Sequence, residues 1–353
     1  MRILFLSTSV GALGSGIGGG VELTLRTLAK ELVERGHAVD IVAPRGSVVV
    51  GRRVFEIDGA LHVPSQSLGR AAQLVVPDDS VLVNMWTEVL QRARSGAYDI
   101  VLNFAYDALP FVQAGECAIP VAHLVSMGSL SNEMDAAVRA AQVASPKCIA
   151  MHSRAQAATF GADVADRITV VASGIDVAAY DFVEVGGDDL AFVGRIAAEK
   201  GISDVFAVSA RTGRRVRAFG VMEQLSVWQQ AQMANPTARV VHEGFLSTEE
   251  LQHQLGTCAA LVMLHHWVEA FGNVAIEALA CGVPVITYDR GGPAEIVRHG
   301  VTGFVVPSDD VPSVVAAMER IDSIERRACR NDVVERFSAQ AFAGRVEAWL
   351  GGV

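Results

Sequence analysis

Apolar positions along the chain fall into short continuous runs that alternate with longer stretches of helical spacing. The run at residues 3–7 predicts a buried strand, and residues 21–35 place their leucines at helical spacing before Gly36, a helix-ending signal. Further strand-like runs in the first half lie at residues 39–43, 100–104, 121–124, 148–151 and 168–171. Strands separated by helices indicate parallel strand–helix–strand units.

A second series of the same kind begins after a break in the pattern. Residues 181–189 are rich in Gly and Asp and predict a linker. Strand-like runs then resume at residues 190–193, 216–219, 240–243, 260–264, 283–287 and 304–306. The sequence therefore predicts an α/β fold of two Rossmann-like, doubly wound parallel-sheet domains, residues 1–175 and 176–336, facing each other across a cleft. The amphipathic tail, residues 337–353, is expected to pack back on the first domain.

Composition and charge narrow the class of protein. The 353 residues are 51% hydrophobic and include 33 glycines, which fits buried parallel strands joined by tight turns. The formal net charge of −10 comes without a basic stripe, so no nucleic-acid partner is expected. No run reaches the roughly 18 apolar residues of a membrane helix, and the five cysteines lack CxxC spacing. These features predict a cytoplasmic protein with reduced thiols and no integral membrane segment.

The most informative chemistry lies in the middle of the second half. A buried strand at 260–264 leads into a loop that carries Glu269, and a helix follows from Asn273. Glu269 is therefore predicted at the carboxyl edge of a parallel sheet, and the N–H groups of residues 271–274 at a helix N-terminus suited to phosphate. Glu277 lies in an apolar helix, where a carboxylate is costly unless paired, and a ribose diol would supply two hydroxyl donors. A structural arginine partner or an exposed helix face is the alternative for Glu277.

A second group of candidate residues follows the predicted strand at 190–193. Gly194 and Arg195 form a turn, and Lys200 comes just before the next helix. Two cations at the carboxyl end of a strand can clamp a diphosphate and stabilise it as a leaving group. Because Lys200 is one of only three lysines in the chain, this interpretation is favoured over a solvated basic turn.

These motifs carry a family resemblance that covers nearly the whole chain in order. The chain resembles retaining glycosyltransferases of family 4 with the GT-B fold, and the second half is the more specific match. The matching segments are Gly18-Gly-Gly-Val-Glu22, Ser173-Gly-Ile-Asp176, Gly194-Arg195 with Lys200-Gly201, Glu243-Gly-Phe-Leu-Ser-Thr-Glu249, Glu269-x7-Glu277, Gly291-Gly-Pro-Ala-Glu295 and Gly300-Val-Thr-Gly-Phe304.

The resemblance implies a role for each matching position. Arg195 and Lys200 would hold the donor diphosphate, and Glu277 the ribose hydroxyls. Glu269 would hold sugar hydroxyls together with the following backbone, and His123 would lie near the transferred sugar. The expected catalytic groups are therefore His123, Arg195, Lys200 and Glu269. The remaining donor-binding positions are Gly18 and Gly19 beside the diphosphate, Gly244, Phe245 and Leu246 against the nucleobase, and Phe271, Gly272, Asn273 and Val274 around the sugar and phosphate.

Two competing patterns are weaker. Residues 14–19 satisfy the G-x-G-x-x-G dinucleotide fingerprint, but the second strand ends in Ala43-Pro44 where the fingerprint needs an acid, and Asp40 stands at that strand's start. The loop His265-His266-Trp267 departs from the family, and His266-x-x-Glu269 could imitate a metal pair. Because no third ligand follows at usable spacing, neither a metal nor another cofactor is expected.

The sequence thus predicts a metal-independent, retaining glycosyltransferase of the hexosyltransferase type. Its donor would be a UDP- or GDP-sugar, which is a substrate, and its acceptor a small soluble molecule, with bacterial secondary-metabolite biosynthesis as the setting. A lipid or cell-envelope glycan acceptor is the alternative; a sugar-nucleotide epimerase or an NAD-dependent oxidoreductase is less favoured. The attacked atom (O, N or S), the oligomeric state, with a homodimer among the options, and the roles of His265 and His266 stay open.

Overall fold

The chain folds into two compact units, each built on its own parallel sheet. The computed structural model describes residues 1–15, 19–61, 69–72 and 76–353. The first unit comprises Met1–Ser173 together with Phe342–Val353, and the second comprises Gly174–Ala341.

The first unit holds seven parallel strands among its described residues, in the order β3-β2-β1-β4-β5-β6-β7. The strands are β1 (Arg2–Leu6), β2 (Ala38–Pro44), β3 (Arg53–Ile57), β4 (Ile100–Asn103), β5 (Val121–Val125), β6 (Ile149–Met151) and β7 (Thr169–Val170). Its helices are α1 (Gly19–Glu34), α2 (Val81–Ala93), α3 (Ala108–Val112), α4 (Asn132–Ala144), α5 (Arg154–Ala158) and α6 (Ala162–Ala165). Because helices cover both faces, residues 3–6 of the central strand β1 are completely buried.

The second unit repeats this architecture with six parallel strands, in the order β10-β9-β8-β11-β12-β13 within the described chain. The strands are β8 (Leu190–Val193), β9 (Arg215–Phe219), β10 (Arg239–Gly244), β11 (Ala260–Met263), β12 (Val285–Tyr288) and β13 (Gly303–Val306). Its helices are α7 (Ile202–Thr212), α8 (Leu225–Ala234), α9 (Thr248–Gly256), α10 (Asn273–Ala280), α11 (Gly292–Ile296), α12 (Val311–Met318) and α13 (Arg326–Arg336). A last helix, α14 (Ala339–Leu350), begins in this unit and continues into the first unit from Phe342.

The predicted fold class, two doubly wound parallel-sheet domains, is confirmed by these two sheets. The structure adds elements that the sequence analysis did not assign, among them the edge strand β3 and the helix α2. The edge strand β3 has no fully buried residue and begins with an exposed arginine, so its sequence lacks the apolar run of a central strand. The helix α2 begins at the capping residue Ser80, whose hydroxyl accepts a hydrogen bond from the N–H of Val83, and buries Trp86 against β1.

The last helix completes the core of the first unit. From Phe342 onward, the apolar side of α14 packs into the same core as β1 and α1. The indole N–H of Trp349 donates to the carbonyl of Lys147 at 2.7 Å, and the guanidinium of Arg345 donates to the carbonyl of Val171 at 2.6 Å. The amphipathic pattern of the tail therefore reflects burial in this core.

Each sheet reverses its winding direction between two central strands, β1 and β4 in the first unit and β8 and β11 in the second. The loops that leave these paired strands diverge to opposite sides of the sheet, and ligands of doubly wound folds bind in the crevice that opens there. In the second unit the loop after β8 must also pass close to β11. Gly201 makes this approach with a positive φ of 73°, and a Cβ built on it would lie 1.7 Å from the carbonyl oxygen of Leu264.

We therefore predict that Gly201→Ala destabilises the second unit more than the matched change Gly213→Ala. Both glycines have a positive φ, 73° and 69°, but a Cβ on Gly213 meets nothing within 4 Å. The control should cost only the left-handed backbone penalty of about 1 to 2 kcal/mol. Gly201→Ala adds displacement of the Leu264 carbonyl and should cost at least about 2 kcal/mol more in the free energy of unfolding. Urea denaturation of both variants measures the difference. Equal unfolding midpoints for the two variants would show that Gly201 is not closely packed against the Leu264 carbonyl.

Candidate functional site

The loops after β8 and β11 bring Lys200 and Glu269 into contact. The ammonium of Lys200 donates to Oε2 of Glu269 at 2.5 Å, across 69 positions of sequence. The two side chains are only 14% and 18% exposed, so this ion pair is largely shielded from water. Gly194 lies alongside, since a Cβ on it would come within 4.0 Å of Cδ of Lys200. The structure thus joins the two separate groups of candidate residues at the carboxyl edge of the sheet.

Two further side chains of the β11 loop converge on the same carboxylate oxygen. The indole N–H of Trp267 donates to Oε2 of Glu269 at 3.2 Å, and Nε2 of His265 lies 3.4 Å from it. The ammonium of Lys200 also stands 4.8 Å from the centre of the Trp267 ring, within the range of a cation–π interaction. Among the described residues no hydrogen bond reaches Oε1 of Glu269, which leaves that oxygen available to a ligand.

The charges of this cluster follow from burial and pairing. Burial opposes ionisation of Glu269, but Lys200, His265 and the hydrogen bonds from Lys200 and Trp267 outweigh it and lower the pKa of Glu269 below its usual value. Burial lowers the pKa of His265 to about 4, so this imidazole is neutral at physiological pH. The cluster therefore holds one cation, one carboxylate, one neutral N–H donor from Trp267 and one neutral imidazole.

The backbone of the Glu269 loop rests on two glycines. A Cβ on Gly291 would lie 2.7 Å from the backbone of Glu269, and one on Gly292 would lie 2.4 Å from that of Phe271. The N–H of Gly292 donates to the carbonyl of Glu269 at 2.8 Å. Side chains at these two positions would push the loop away, so the glycine pair at the start of α11 fixes the height of Glu269 above the sheet.

The helix α10 starts directly after this loop. Gly272 precedes it with a positive φ of 94°, and within the described chain no side chain caps this end, so first-turn amides remain available to an anion. Oδ1 of Asn273 is buried without a hydrogen-bond partner among the described residues, and Val274, which follows it, is partly exposed. Phe271 is buried and packs edge-on against Phe337, with ring centres 5.9 Å apart. The predicted sugar and phosphate positions therefore occupy one turn of chain.

One helical turn later, Glu277 lies partly buried on α10. Burial raises the pKa of Glu277 to about 7, and the hydroxyl of Tyr180 opposes this rise by hydrogen bonding to the carboxylate. Burial of the Tyr180 hydroxyl and the neighbouring carboxylate of Glu277 raise the pKa of Tyr180. Near neutral pH the Glu277 carboxyl is thus poised between its two forms, a state that hydroxyl donors from a ligand would shift towards ionisation.

The loops after β8, β9 and β10 enclose a small apolar cavity. It measures about 180 Å³ and its lining includes Arg195, Phe245 and Leu246. The strand ends that frame it approach closely: a Cβ on Gly220 would lie 2.0 Å from the carbonyl oxygen of Gly194, and the N–H of Gly220 donates to the carbonyl of Gly244 at 2.8 Å. Two of the three predicted base-binding residues, Phe245 and Leu246, therefore line one cavity with Arg195, and Gly244 accepts the hydrogen bond from Gly220 beside it.

The guanidinium of Arg195 is held by two carboxylates. It donates to Glu199 at 2.8 Å and to Glu223, while its side chain stays 47% exposed. The hydrogen bond to Glu223 is the main cause that raises the pKa of Arg195. Arg195 thus keeps its positive charge and part of its surface, as a phosphate-binding residue requires.

In the first unit, one of the two predicted glycines can be placed. Gly18 lies outside the described residues. Gly19 opens α1 with a positive φ of 54° and is exposed. The carboxylate of Glu22 anchors the start of the glycine-rich loop by accepting from the N–H of Gly14 at 2.5 Å. Asp40 is the third residue of β2 and accepts from the hydroxyl of Tyr98 at 2.7 Å, away from the strand end that a dinucleotide fingerprint requires.

His123, which the resemblance places near the transferred sugar, lies inside the sheet of the first unit. It is the central residue of β5, not its end, and is completely buried. Its Nδ1 lies 3.0 Å from the amide of Asn103, and its ring stacks on Phe111 with centres 4.0 Å apart. Burial lowers the pKa of His123 to about 3. The strand continues for two residues beyond it, so the residue at the carboxyl edge is Ser126, and His123 lies within the sheet.

Another pair of side chains occupies the switch point of the first unit. The hydroxyl of Ser9, after β1, donates to Oδ2 of Asp107, after β4, at 3.1 Å, and both residues are buried. The sequence analysis missed this pair because neither residue belongs to a short motif. It also assigned no role to Trp267, His265 and Tyr180, although the departure of His265-His266-Trp267 from the family was the signal that could have found two of them.

His266 faces away from Glu269. Its Nε2 lies 2.9 Å from Oδ2 of Asp204, and with Asp309 these residues form a group whose ligand atoms lie within 4.8 Å of one another. The guanidinium of Arg290 pairs with Asp309 at 2.5 Å, and the hydroxyl of Tyr288 donates to Asp204 at 2.6 Å. Because protein donors already hold both carboxylates, we interpret the group as a tether for the β11 loop.

In residues 1–15, 19–61, 69–72 and 76–353, none of the helices is both long and apolar enough to cross a bilayer.

Two family models match the chain in succession. Glycosyltransferase Family 4 matches residues 18–179, and Glycosyl transferases group 1 matches residues 184–342. Together they span nearly the whole chain, and the second contains Arg195, Lys200, Glu269 and Glu277.

Curated relatives agree with these models at different lengths. A glycogen synthase of Mycobacterium tuberculosis is 32% identical over 173 residues, 46% of this chain and 41% of the relative, so the match spans less than half of that protein. A D-inositol 3-phosphate glycosyltransferase of Jonesia denitrificans is 26% identical over 348 residues, 83% of this chain and 80% of the relative.

Solved structures share the fold over the full length. The Anabaena protein Alr3699/HepE, in complex with UDP, has a TM-score of 0.76 at 18% identity and covers 100% of both chains. AviGT4, a glycosyltransferase involved in avilamycin A biosynthesis, has a TM-score of 0.71 at 20% identity and covers 100% of this chain and 99% of its own. Two parallel-sheet units, two consecutive family models and full-length likeness to these structures lead to one assignment: this chain belongs to the group 1 glycosyltransferases and has the GT-B fold.

Proposed function

We propose that this protein transfers a sugar from a nucleoside diphosphate sugar to a small soluble acceptor, with retention of the anomeric configuration. The observation that carries the proposal is the Lys200–Glu269 pair beside the uncapped start of α10. Two N–H donors of the Lys200 ammonium and Oε1 of Glu269 remain for a ligand, which suits a diphosphate next to a hydroxylated sugar. The cavity at Phe245 and the carboxylate of Glu277 would receive the base and the ribose.

In this reaction the bond between the anomeric carbon and the diphosphate oxygen breaks while the acceptor oxygen bonds to the same carbon from the same face. The acceptor's proton passes to the departing phosphate oxygen, and the nucleoside diphosphate leaves with both bonding electrons. Lys200, Arg195 and the first amides of α10 would stabilise the charge that develops on the diphosphate, without a metal ion. The neutral His265 and Trp267 add no charge of their own that would compete with this stabilisation.

The donor base is proposed to be uracil or guanine, with uracil to be tested first. The support is the UDP complex of the Anabaena protein, which shares the fold. The cavity lining of Phe219, Val221, Leu246 and Leu251 gives a base an apolar surface on which to stack.

A small acceptor is supported by two of the similar proteins. One acts, by its name, on D-inositol 3-phosphate, and another takes part in avilamycin A biosynthesis. We therefore place the reaction in bacterial secondary metabolism and in the cytoplasm, where the five free thiols of this chain would stay reduced. The glycogen synthase relative favours a glycan acceptor as the second candidate. Product formation with inositol phosphate and aminocyclitols, compared with maltooligosaccharides and lipid-linked sugars, separates these options.

The first prediction concerns the donor cation. Wild-type protein incubated with UDP- and GDP-sugars should release nucleoside diphosphate, and Lys200→Ala should reduce kcat/KM at least 100-fold, a loss of about 2.7 kcal/mol of transition-state stabilisation. Lys147→Ala is the matched control, because Lys147 is an exposed lysine of the first unit and should leave the rate unchanged. A coupled assay for the released diphosphate measures both variants, and nuclear magnetic resonance of the product reports retention or inversion.

Either of two results would reject the proposed function. One is that neither UDP- nor GDP-sugars bind to or are cleaved by the wild-type protein. The other is that Lys200→Ala and Lys147→Ala have the same kcat/KM.

The second prediction concerns pH. The pKa of Glu277 is about 7 because of burial, and only its ionised form offers a charged acceptor to the ribose hydroxyls. Deprotonation favours donor binding, so the affinity should fall as pH decreases, about tenfold between pH 8 and pH 6 for one titrating group. Calorimetry with an intact nucleotide sugar measures this, because its doubly esterified diphosphate does not titrate in this range.

The control for this prediction is Glu277→Gln. The amide stays neutral at every pH, so the variant should bind more weakly than wild type at pH 8 and show a flat profile. His265, with a pKa of about 4, does not titrate in this window. A wild-type affinity that is constant between pH 6 and pH 8 would contradict the assignment of Glu277 to the ribose.

A further inference from the structure

Trp267 contacts both members of the Lys200–Glu269 pair at the same time. Its indole N–H donates to Oε2 of Glu269 at 3.2 Å, and its ring centre lies 4.8 Å from the ammonium of Lys200. We propose that Trp267 is a positioning residue of the donor site, which holds the carboxylate through its N–H and the ammonium through its ring face. The inference rests on the proposed function, since it concerns how that function's donor site is held in shape.

An unassisted ion pair would be a poor binding site. A lysine and a glutamate that are largely shielded from water attract each other strongly, and each can rotate to satisfy the other with both oxygens and several N–H groups. A donor would then have to separate them before it could bind. In this structure all the protein donors meet Oε2 alone, and Oε1 has no partner among the described residues.

The indole N–H accounts for this one-sided arrangement. It is a neutral donor with a fixed direction, so it holds Oε2 and sets the rotation of the carboxylate about its last bond. His265 reinforces it from 3.4 Å. The second oxygen is then turned away from the cation, where a sugar hydroxyl would find it already oriented.

The ring face acts on the other partner. The Lys200 ammonium carries three N–H groups and uses one on Glu269, while the ring attracts the ammonium as a whole without consuming a hydrogen bond. Two N–H groups of Lys200 therefore remain for phosphate oxygens at a position set by the tryptophan.

The backbone on the N-terminal side of Trp267 is itself anchored. The guanidinium of Arg290 donates to the carbonyl of His265 at 2.8 Å, and the N–H of His266 donates to the carbonyl of Glu199 at 2.9 Å. The imidazole of His266 is tethered in addition to Asp204 at 2.9 Å. The two histidines that depart from the family pattern thus fix the base from which the indole projects.

The test separates the two functions of the indole. Trp267→Phe keeps a ring for Lys200 but removes the N–H, so kcat at saturating donor should fall at least tenfold while the Kd of the nucleoside diphosphate stays within twofold. Trp267→Leu removes both, so the Kd should also weaken at least fivefold. Trp228→Phe is the matched control: Trp228 lies on α8 of the same unit, packed edge-on against Phe206, and its variant should keep both values within twofold of wild type.

A spectroscopic measurement on the indole N–H groups tests the inference even if a Trp267 variant does not fold. The chain has four tryptophans, so ¹⁵N labelling gives four indole N–H signals. Glu269→Gln should shift one of them, which identifies Trp267, and adding nucleotide sugar to wild type should move that signal more than adding nucleoside diphosphate. Melting temperatures confirm that each variant is folded.

The outcomes distinguish the inference from the proposed function. If wild type is active but Trp267→Phe matches it in kcat, or if no single indole signal responds to Glu269→Gln, the positioning role is overturned and the function stands. If wild type neither binds nor cleaves any nucleotide sugar, the function fails and the positioning role fails with it.

Discussion

The donor half of this protein depends on an ion pair held largely away from water. Burying Lys200 and Glu269 together costs hydration of both charges, and such a pair is favourable only when its geometry is good and further hydrogen bonds satisfy it. The indole N–H of Trp267 supplies such a bond on the side of the carboxylate, and the imidazole of His265 lies 3.4 Å from the same oxygen. The net lowering of the pKa of Glu269 shows that pairing outweighs burial, so the site keeps a formal negative charge next to a positive one.

This pair can form only because the backbone of the second unit is packed unusually closely at one edge of its sheet. Gly201 lets the loop after β8 touch the end of β11, and Gly291 lets the start of α11 touch the loop that carries Glu269. At each contact two backbone segments touch directly, with no side chain between them. The loops can therefore shift little towards or away from the sheet. Glycines that are far apart in the sequence thus position the loops that carry the two charged side chains.

How much could be predicted from the sequence depended on how local the signal was. The strands of both sheets were apparent as apolar runs because parallel strands are buried on both faces. The edge strand β3 was not apparent because its sequence is polar. The capped helix α2 was not apparent because residues of loop character precede it. Lys200 and Glu269 were found through short motifs, and β-strand order at the switch point explains why they meet. Trp267 was not given a role, because its two contacts are with residues that only the fold brings to it.

The position of His123 along β5 shows how far a role can be predicted from a local apolar run. A parallel strand presents chemistry at its carboxyl end, and β5 continues for two residues beyond His123, so this histidine lies within the sheet. In a core, a histidine loses its charge to burial and serves packing, as its stacking on Phe111 indicates. The first unit nevertheless has a polar pair at its own switch point, Ser9 with Asp107, joined across 98 positions of sequence. At the switch point of the second unit, the corresponding loops bring together a cation and a carboxylate, Lys200 and Glu269. The two units thus share one topology and differ in the side chains that their sheets bring together at the switch point.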